Sequence, residues 1–228
     1  MIIRKLETVG LFDENLELEN TLVGLGCATL SAENLKQDFN GGLKDFISEI
    51  SKIGKAHNTI VQLYDLKLIN SLEHLYSAVL FGERGFKHEI NISNQKALEY
   101  LLYASLQRQI KIAIELLGLK LIQQVEEIPI AISITGKNQK DIQSSANKLI
   151  SKFKIEISDT HKLLKRRDKL EELMNVYEIE EFEVKNALSL IKKRNVNMVD
   201  AELESLQSAL DLILKERMSL LSLENVSI

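Results

Sequence analysis

The chain has 228 residues, enough to bury a substantial core as one domain with an appendage. At 45% hydrophobic and 27% charged, with no tryptophan, it has the composition of an ordinary folded protein, which excludes the disordered and fibrous classes. A formal net charge of -4 excludes a uniformly basic surface, so nucleic acid would have to be met by a local patch.

Residues 2–6 and 22–30 read as short strands, the second softened by Gly24 and Gly26. Past the Asn40-Gly41-Gly42 turn, Leu43, Phe46, Ile47, Ile50 and Ile53 recur at spacings of three and four, an amphipathic helix that Gly54 stops. Residues 59–64 make a third strand. The helical period returns from Leu68 through Leu72, Leu75, Val79 and Phe81, until Gly82 and Gly85 loosen the backbone. Ser93 or Asn94 caps a helix carrying Leu98, Leu101 and Leu102. A second helix over residues 107–117 is predicted to bury Ile110, Ile114 and Leu117, with Gly118 just past its end. Pro129 opens an apolar strand over residues 130–134, because a first strand residue need not donate to the ladder.

Residues 141–153 then read as a helix and 154–157 as a last short strand. The remainder is helical, in three amphipathic segments: one through Leu163, Leu170 and Leu173, one through Phe182, Leu188 and Ile191, and one through Leu203, Leu206, Leu210, Ile213, Leu214, Leu220 and Leu221. The fold class is therefore α+β: a mixed, largely antiparallel sheet of four to five short strands packed with helices, followed by a helical C-terminal part.

The apolar runs, residues 128–134 among them, are far too short to span a bilayer, and the start MIIRKLE lacks a signal-peptide layout, so a cytosolic protein without a membrane partner is expected. The single cysteine, Cys27, has no partner for a disulfide or a metal site and reads as a small core residue on a strand. Neither GxGxxG nor GxxxxGK occurs, so the loops that present backbone amides to phosphates are missing. His57, His74, His88 and His161 are scattered without zinc-ligand spacing. Glu171-Glu172 and Glu180-Glu181 sit beside lysines on polar helix faces and read as solvated surface. The sequence does not read as an enzyme, and no cofactor, metal or small-molecule substrate is expected.

One stretch, residues 62–118, carries a more specific pattern. It contains Gln62-Leu63-Tyr64-Asp65 at a strand end, Glu73-His74-Leu75 with Ala78, Asn91-Ile92-Ser93, and Leu101-Leu102-Tyr103-Ala104-Ser105 leading into Arg108-Gln109-Ile110 with Ala113 and Gly118. Near the end of the chain come Leu214-Lys215-Glu216-Arg217 and Leu220-Leu221. On these residues the chain resembles the PRPK-binding protein family, the accessory subunit of the KEOPS complex. Two departures stand out: Leu106 occupies a turn position where the family more often has glycine, and residues 184–205 have no counterpart, reading as a helical insertion. The resulting division is a core over residues 1–183, the insertion over 184–205, and a closing helix over 206–228.

The resemblance implies a non-catalytic subunit of the machinery that makes threonylcarbamoyl-adenosine in tRNA, with two partners: the RIO-like kinase/ATPase subunit of KEOPS and the 3′ CCA end of tRNA. Single-stranded RNA ends are held by a few cations on phosphates beside apolar or planar surfaces. The candidate RNA contacts are Arg108, Gln109, Lys111 and Ile112, with Lys96 and Tyr103 added from the preceding helix. Arg108 and Gln109 are expected in a first helical turn, where free amides favour a phosphate, and Arg108 and Ile112 are expected on one face. On spacing alone Arg108 is an ordinary surface arginine and Ile112 an ordinary core residue; the resemblance is what favours an RNA role for Arg108. His74 reads as a satisfied histidine at a helix-sheet junction, and Tyr103 is more often core than stacking platform.

For the kinase, the closing helix offers Leu210, Ile213, Leu214, Arg217, Met218 and Leu221, although a stripe of this kind is more commonly core. Two other classes stay open. One is a purely structural kinase-binding adaptor that never touches tRNA. The other is an enzyme with residues assembled by the fold, which would need a polar pocket with strongly perturbed ionisable groups.

Overall fold

Alternation along β4 (Glu127–Gly136) organises the domain: Ile128, Ile130, Ile132 and Ile134 project from one face of the sheet, Ala131, Ser133 and Thr135 from the other. The computed structural model describes residues 1–7, 18–33, 35, 42–120, 126–157, 163–164, 166–194 and 202–224. Asn40, Gly41, His161, residues 195–201 of the expected insertion and residues 225–228 of the closing segment lie outside them.

The sheet runs β1 (Ile2–Lys5), β2 (Leu22–Ser31), β4, β3 (Ile60–Asp65), with every pairing antiparallel. The short β5 (Glu156–Ile157) pairs with Ala28 and Thr29, so it shares the outer edge of β2 with β1, which pairs with Leu22 to Leu25. β4 begins two residues before Pro129. The proline lies one position beyond Ile130, the last residue that β3 pairs, and so interrupts no ladder between those two strands.

On the isoleucine face lie α1 (Leu43–Ala56) and, later in the chain, the Gln139–Phe153 helix, where Phe46 and Phe153 meet edge to face at 4.8 Å. The opposite face, with Val23, Leu25, Cys27, Tyr64 and Ala131, is covered by helices on both sides of β4 in sequence. They are α2 (Leu72–Lys87), α3 (Lys96–Ser105) and α4 (Ile110–Leu117) before β4 and, after α5 (the Gln139–Phe153 helix), α6 (Arg167–Val176), α7 (Glu181–Arg194) and α8 (Glu202–Glu224). The α+β class with an antiparallel sheet of five strands and a C-terminal helix is as expected from the sequence. Burying α7 through Val184 and Ala187 makes it part of this main core, while Phe182, expected inside, is 58% exposed.

α2 departs from the expected limits at both ends. Asp65 caps a 3-10 turn, Leu66–Leu68, through the Lys67 amide, and Ser71 then caps the helix proper by accepting from the amides of Glu73 and His74. Leu68 and Leu72 are in phase but belong to different elements. The helix also continues through Gly82 and Gly85, because α3 packs directly on them. α3 starts later than its expected cap: Gln95 is the N-cap residue without a side-chain bond, and Ser93 Oγ instead accepts from the Gln95 amide. The buried Glu99 carboxylate reaches back to the amides of Ile92 and Ser93. Burial pushes its pKa up and these two bonds oppose that.

Five helices end alike. Asn58, Glu89, Leu106, Lys154 and Glu178 adopt positive φ between 50° and 58°, and the amide after each bonds a carbonyl five residues back, from Thr59 to Gly54, Ile90 to Gly85, Gln107 to Leu102, Ile155 to Ile150 and Ile179 to Met174. This is the left-handed closure usually given to glycine, and here none of the five is glycine.

Candidate functional site

At the corner between α3 and α4, Leu106 holds φ 55° and ψ 33°, with its amide on the Tyr103 carbonyl at 3.2 Å. The position where the resemblance puts glycine is one where glycine would be unstrained, and leucine carries the same turn. Beyond it Gln107 and Arg108 lie outside any helix, Arg108 in a bend, and Gln109 is the extended N-cap of α4, whose side chain makes no capping bond. Arg108 therefore precedes the helix instead of lying in its first turn, and the helical spacing expected between Arg108 and Ile112 does not apply. The left-handed stop at Leu106 uses up the residues that would have started α4 at Gln107.

α4 buries Ala113 and Leu117, leaving Ile110 38% and Ile114 45% exposed, the reverse of the expected burial for these two isoleucines. The segment IKIAIELL is apolar on two faces, so its period cannot choose between them, and the small Ala113 side chain is the one that lets α4 approach the core closely. Gln109 and Lys111 are exposed, Arg108 and Ile112 half-buried. Lys111 makes a loose 3.9 Å contact with Glu115. The corner thus joins Arg108, Gln109 and Lys111, the uncapped amides of a helix start and two exposed isoleucines.

The other two predicted RNA contacts are elsewhere. Lys96 is nearly covered, its ammonium 2.7 Å from Glu83 and 2.8 Å from Glu19. The fully buried Glu83 also accepts from Asn20 Nδ2 at 2.7 Å and, at very short range, from the Tyr100 hydroxyl, which in turn meets Thr135 Oγ1 at 3.1 Å. Burial and then the Glu83 charge drive the Tyr100 pKa far up. Tyr103 is wholly buried, stacked on Phe81 at 5.8 Å with its hydroxyl 2.8 Å from Ser222 Oγ, and offers no ring to a base. Lys96 and Tyr103 build the scaffold that fixes α3.

The residues expected to meet a kinase are also committed internally. Leu210, Ile213, Leu214, Met218 and Leu221 are buried in the main core, and Arg217 holds the carbonyls of Tyr177 and Glu178 and the Glu183 carboxylate. A helix that closes its own domain must spend its apolar stripe on that core, so the outward apolar residues are Leu220, 53% exposed, and Leu223, 61% exposed.

A polar clasp fixes α8 to the start of α2. Asp211 Oδ1 accepts from Asn70 Nδ2 at 2.7 Å and from Ser71 Oγ at 2.6 Å, while Gln207 Nε2 donates to the Asn70 carbonyl. His74 sits beside it with both ring nitrogens on backbone: Nδ1 accepts from the Asn70 amide, so Nε2 carries the proton to the Ala104 carbonyl. Burial lowers its pKa to about 4, which makes it a neutral structural histidine.

Comparison with known protein families and with curated proteins finds no match. Among the described residues no three His, Cys, Asp or Glu side chains gather as metal ligands, and no helix is long and apolar enough to cross a membrane.

Proposed function

We propose that this chain is a non-catalytic subunit of the KEOPS machinery for tRNA threonylcarbamoylation, binding the 3′ CCA end of tRNA and the RIO-like kinase/ATPase. The residue pattern across positions 62–118 suggests the family. The observation that carries the RNA reading is the α3–α4 corner, where Arg108, Gln109 and Lys111 adjoin exposed Ile110 and Ile114. Cations beside apolar surface suit a single-stranded end, whose phosphates need charge and whose unpaired bases need a dry face. The kinase would meet the outer side of α8 at Leu220 and Leu223.

Electrophoretic mobility shift with whole tRNA and with tRNA trimmed of its CCA end tests the reading. Trimming abolishes binding if the corner holds the 3′ end, and Arg108→Glu or Lys111→Glu weakens binding while reducing its salt slope by about one. Equal binding of both RNAs, or none, sinks it. The burial of Lys96 and Tyr103 favours a second reading, an adaptor that binds the kinase without touching tRNA. Kinase pulldown without any RNA shift would select that reading.

A further inference from the structure

A cleft of about 350 Å³ lies between the 3-10 turn, the start of β4 and the start of α6. Leu66, Ile128, Pro129 and Leu163 give it apolar walls. Lys169 lines it from the first turn of α6, only 8% exposed, with its ammonium 2.7 Å from the Leu66 carbonyl. That carbonyl is the single acceptor given to the amine among the described residues, whereas an ammonium has three protons to donate.

The other charges around the cleft are largely spoken for. Lys67 pairs with Glu172 at 2.6 Å and Arg166 with Asp168 at 2.5 Å, while Asp65 accepts from the Lys67 amide. Lys120 carries no ion pair among the described residues, with Glu127 the acidic residue left on the lining. A buried amine on an apolar wall is an arrangement that favours a nucleophilic lysine, because desolvation favours its neutral form.

We propose that Lys169 is a carbonyl-reactive lysine and that the cleft admits a small aldehyde or 2-oxo acid bearing an anionic group. The neutral amine attacks the carbonyl carbon to give a carbinolamine. The carbonyl oxygen then leaves as water, taking both amine protons, and a C=N bond remains. Lys120 at the lining receives the anionic group. Burial lowers the pKa of Lys169 to about 8; Arg166 acts in the same sense, and Cys27, Asp65 and Asp168 act against it. This activity is independent of the RNA and kinase reading, and it is the fold-assembled chemistry for which the sequence carries no motif.

The full chain is treated with glyoxylate and cyanoborohydride at about pH 7.5, digested, and its lysines are mapped by mass spectrometry. At that pH an amine of pKa near 8 is roughly a quarter neutral and an ordinary lysine roughly a thousandth, so even with restricted access Lys169 should be labelled at least about tenfold faster than exposed Lys111. Labelling of Lys169 no faster than Lys111, or none at Lys169, overturns the proposal. Equal preference for Lys169 with neutral propanal in place of glyoxylate overturns the requirement for an anionic group. Both measurements are made on the unaltered chain, so no variant has to fold.

Discussion

A Cβ placed on Gly82 would lie 2.6 Å from Cδ1 of Tyr100, so the ring of α3 rests directly on the backbone of α2. That approach also brings the Tyr100 hydroxyl to Glu83 and Thr135, tying two helices to the sheet through one side chain.

Gly82→Ala is expected to cost about 2 kcal/mol through overpacking, even though alanine favours a helix interior by about 1 kcal/mol. Gly85→Ala is the matched control. Its Cβ meets Glu99 and Tyr103 oxygens at 3.5 and 3.6 Å, ordinary contact distances, so it should be neutral or gain up to about 1 kcal/mol. Urea midpoints of the two variants decide this, and a loss at Gly85 equal to that at Gly82 would refute it.

Glycine at the left-handed helix ends should stabilise the domain. Glu89→Gly and Lys154→Gly act at exposed positions and should each add about 1 kcal/mol, read as a higher urea midpoint at unchanged slope. Leu106→Gly should gain less, because the Leu106 side chain packs on the main core.

Asp211 and His74 respond to pH with opposite signs. Burial pushes the Asp211 carboxyl up from 3.8 to about 6, so its stabilising contribution is complete below its unfolded value and is lost as pH rises through about 6. His74 is lowered from 6.5 to about 4, so its contribution is complete above 6.5 and is lost as pH falls through about 4. Asp211→Asn keeps an acceptor for Ser71 and Asn70 while removing the charge. It should be about 1–2 kcal/mol more stable near neutral pH, with the gain vanishing in acid, and its stability should fall more steeply than that of the unaltered chain between pH 6.5 and 4. Chemical denaturation at stepped pH measures both slopes.

Ile114→Ser removes half-exposed apolar surface from the α3–α4 corner and leaves Ala113 and Leu117 in place. Stability should change by no more than about 0.5 kcal/mol, while tRNA affinity drops roughly tenfold if a base rests there. Titration of labelled tRNA reads the affinity; an unchanged value removes the isoleucines from the site.

Much of the fold was legible because alternation and helical period are local. β3 and β4 and the helices on the isoleucine face declared themselves through residues such as Ile130, Ile132, Phe46 and Ile142. Gly82 read as a weak point because propensity does not register Tyr100, eighteen residues on in the next helix but in direct contact with it. α4 misled because IKIAIELL has two apolar faces, and it is packing against α3, the 3-10 turn and β3 that selects Ala113 and Leu117. Of the six candidate RNA contacts, Arg108, Gln109, Lys111 and Ile112 stay together at the α3–α4 corner because they are neighbours in sequence, whereas the pairing of Lys96 with Glu83 and of Tyr103 with Ser222 joins residues 13 and 119 apart. No local signal separates such a buried lysine or tyrosine from an available one. Lys169 likewise looks like any helix lysine until the 3-10 turn is folded over it.

The clasp between Ser71 and Asp211 spans 140 positions. On a ribosome adding about 5–20 residues per second, the cap of α2 therefore waits roughly 7–28 s for its partner, with the tyrosine-bearing side of the sheet covered by only α2, α3 and α4 of its helices until α6 to α8 follow. The nascent chain should be most vulnerable to proteases and to association with other chains in that interval, and chaperone demand should end when α8 emerges.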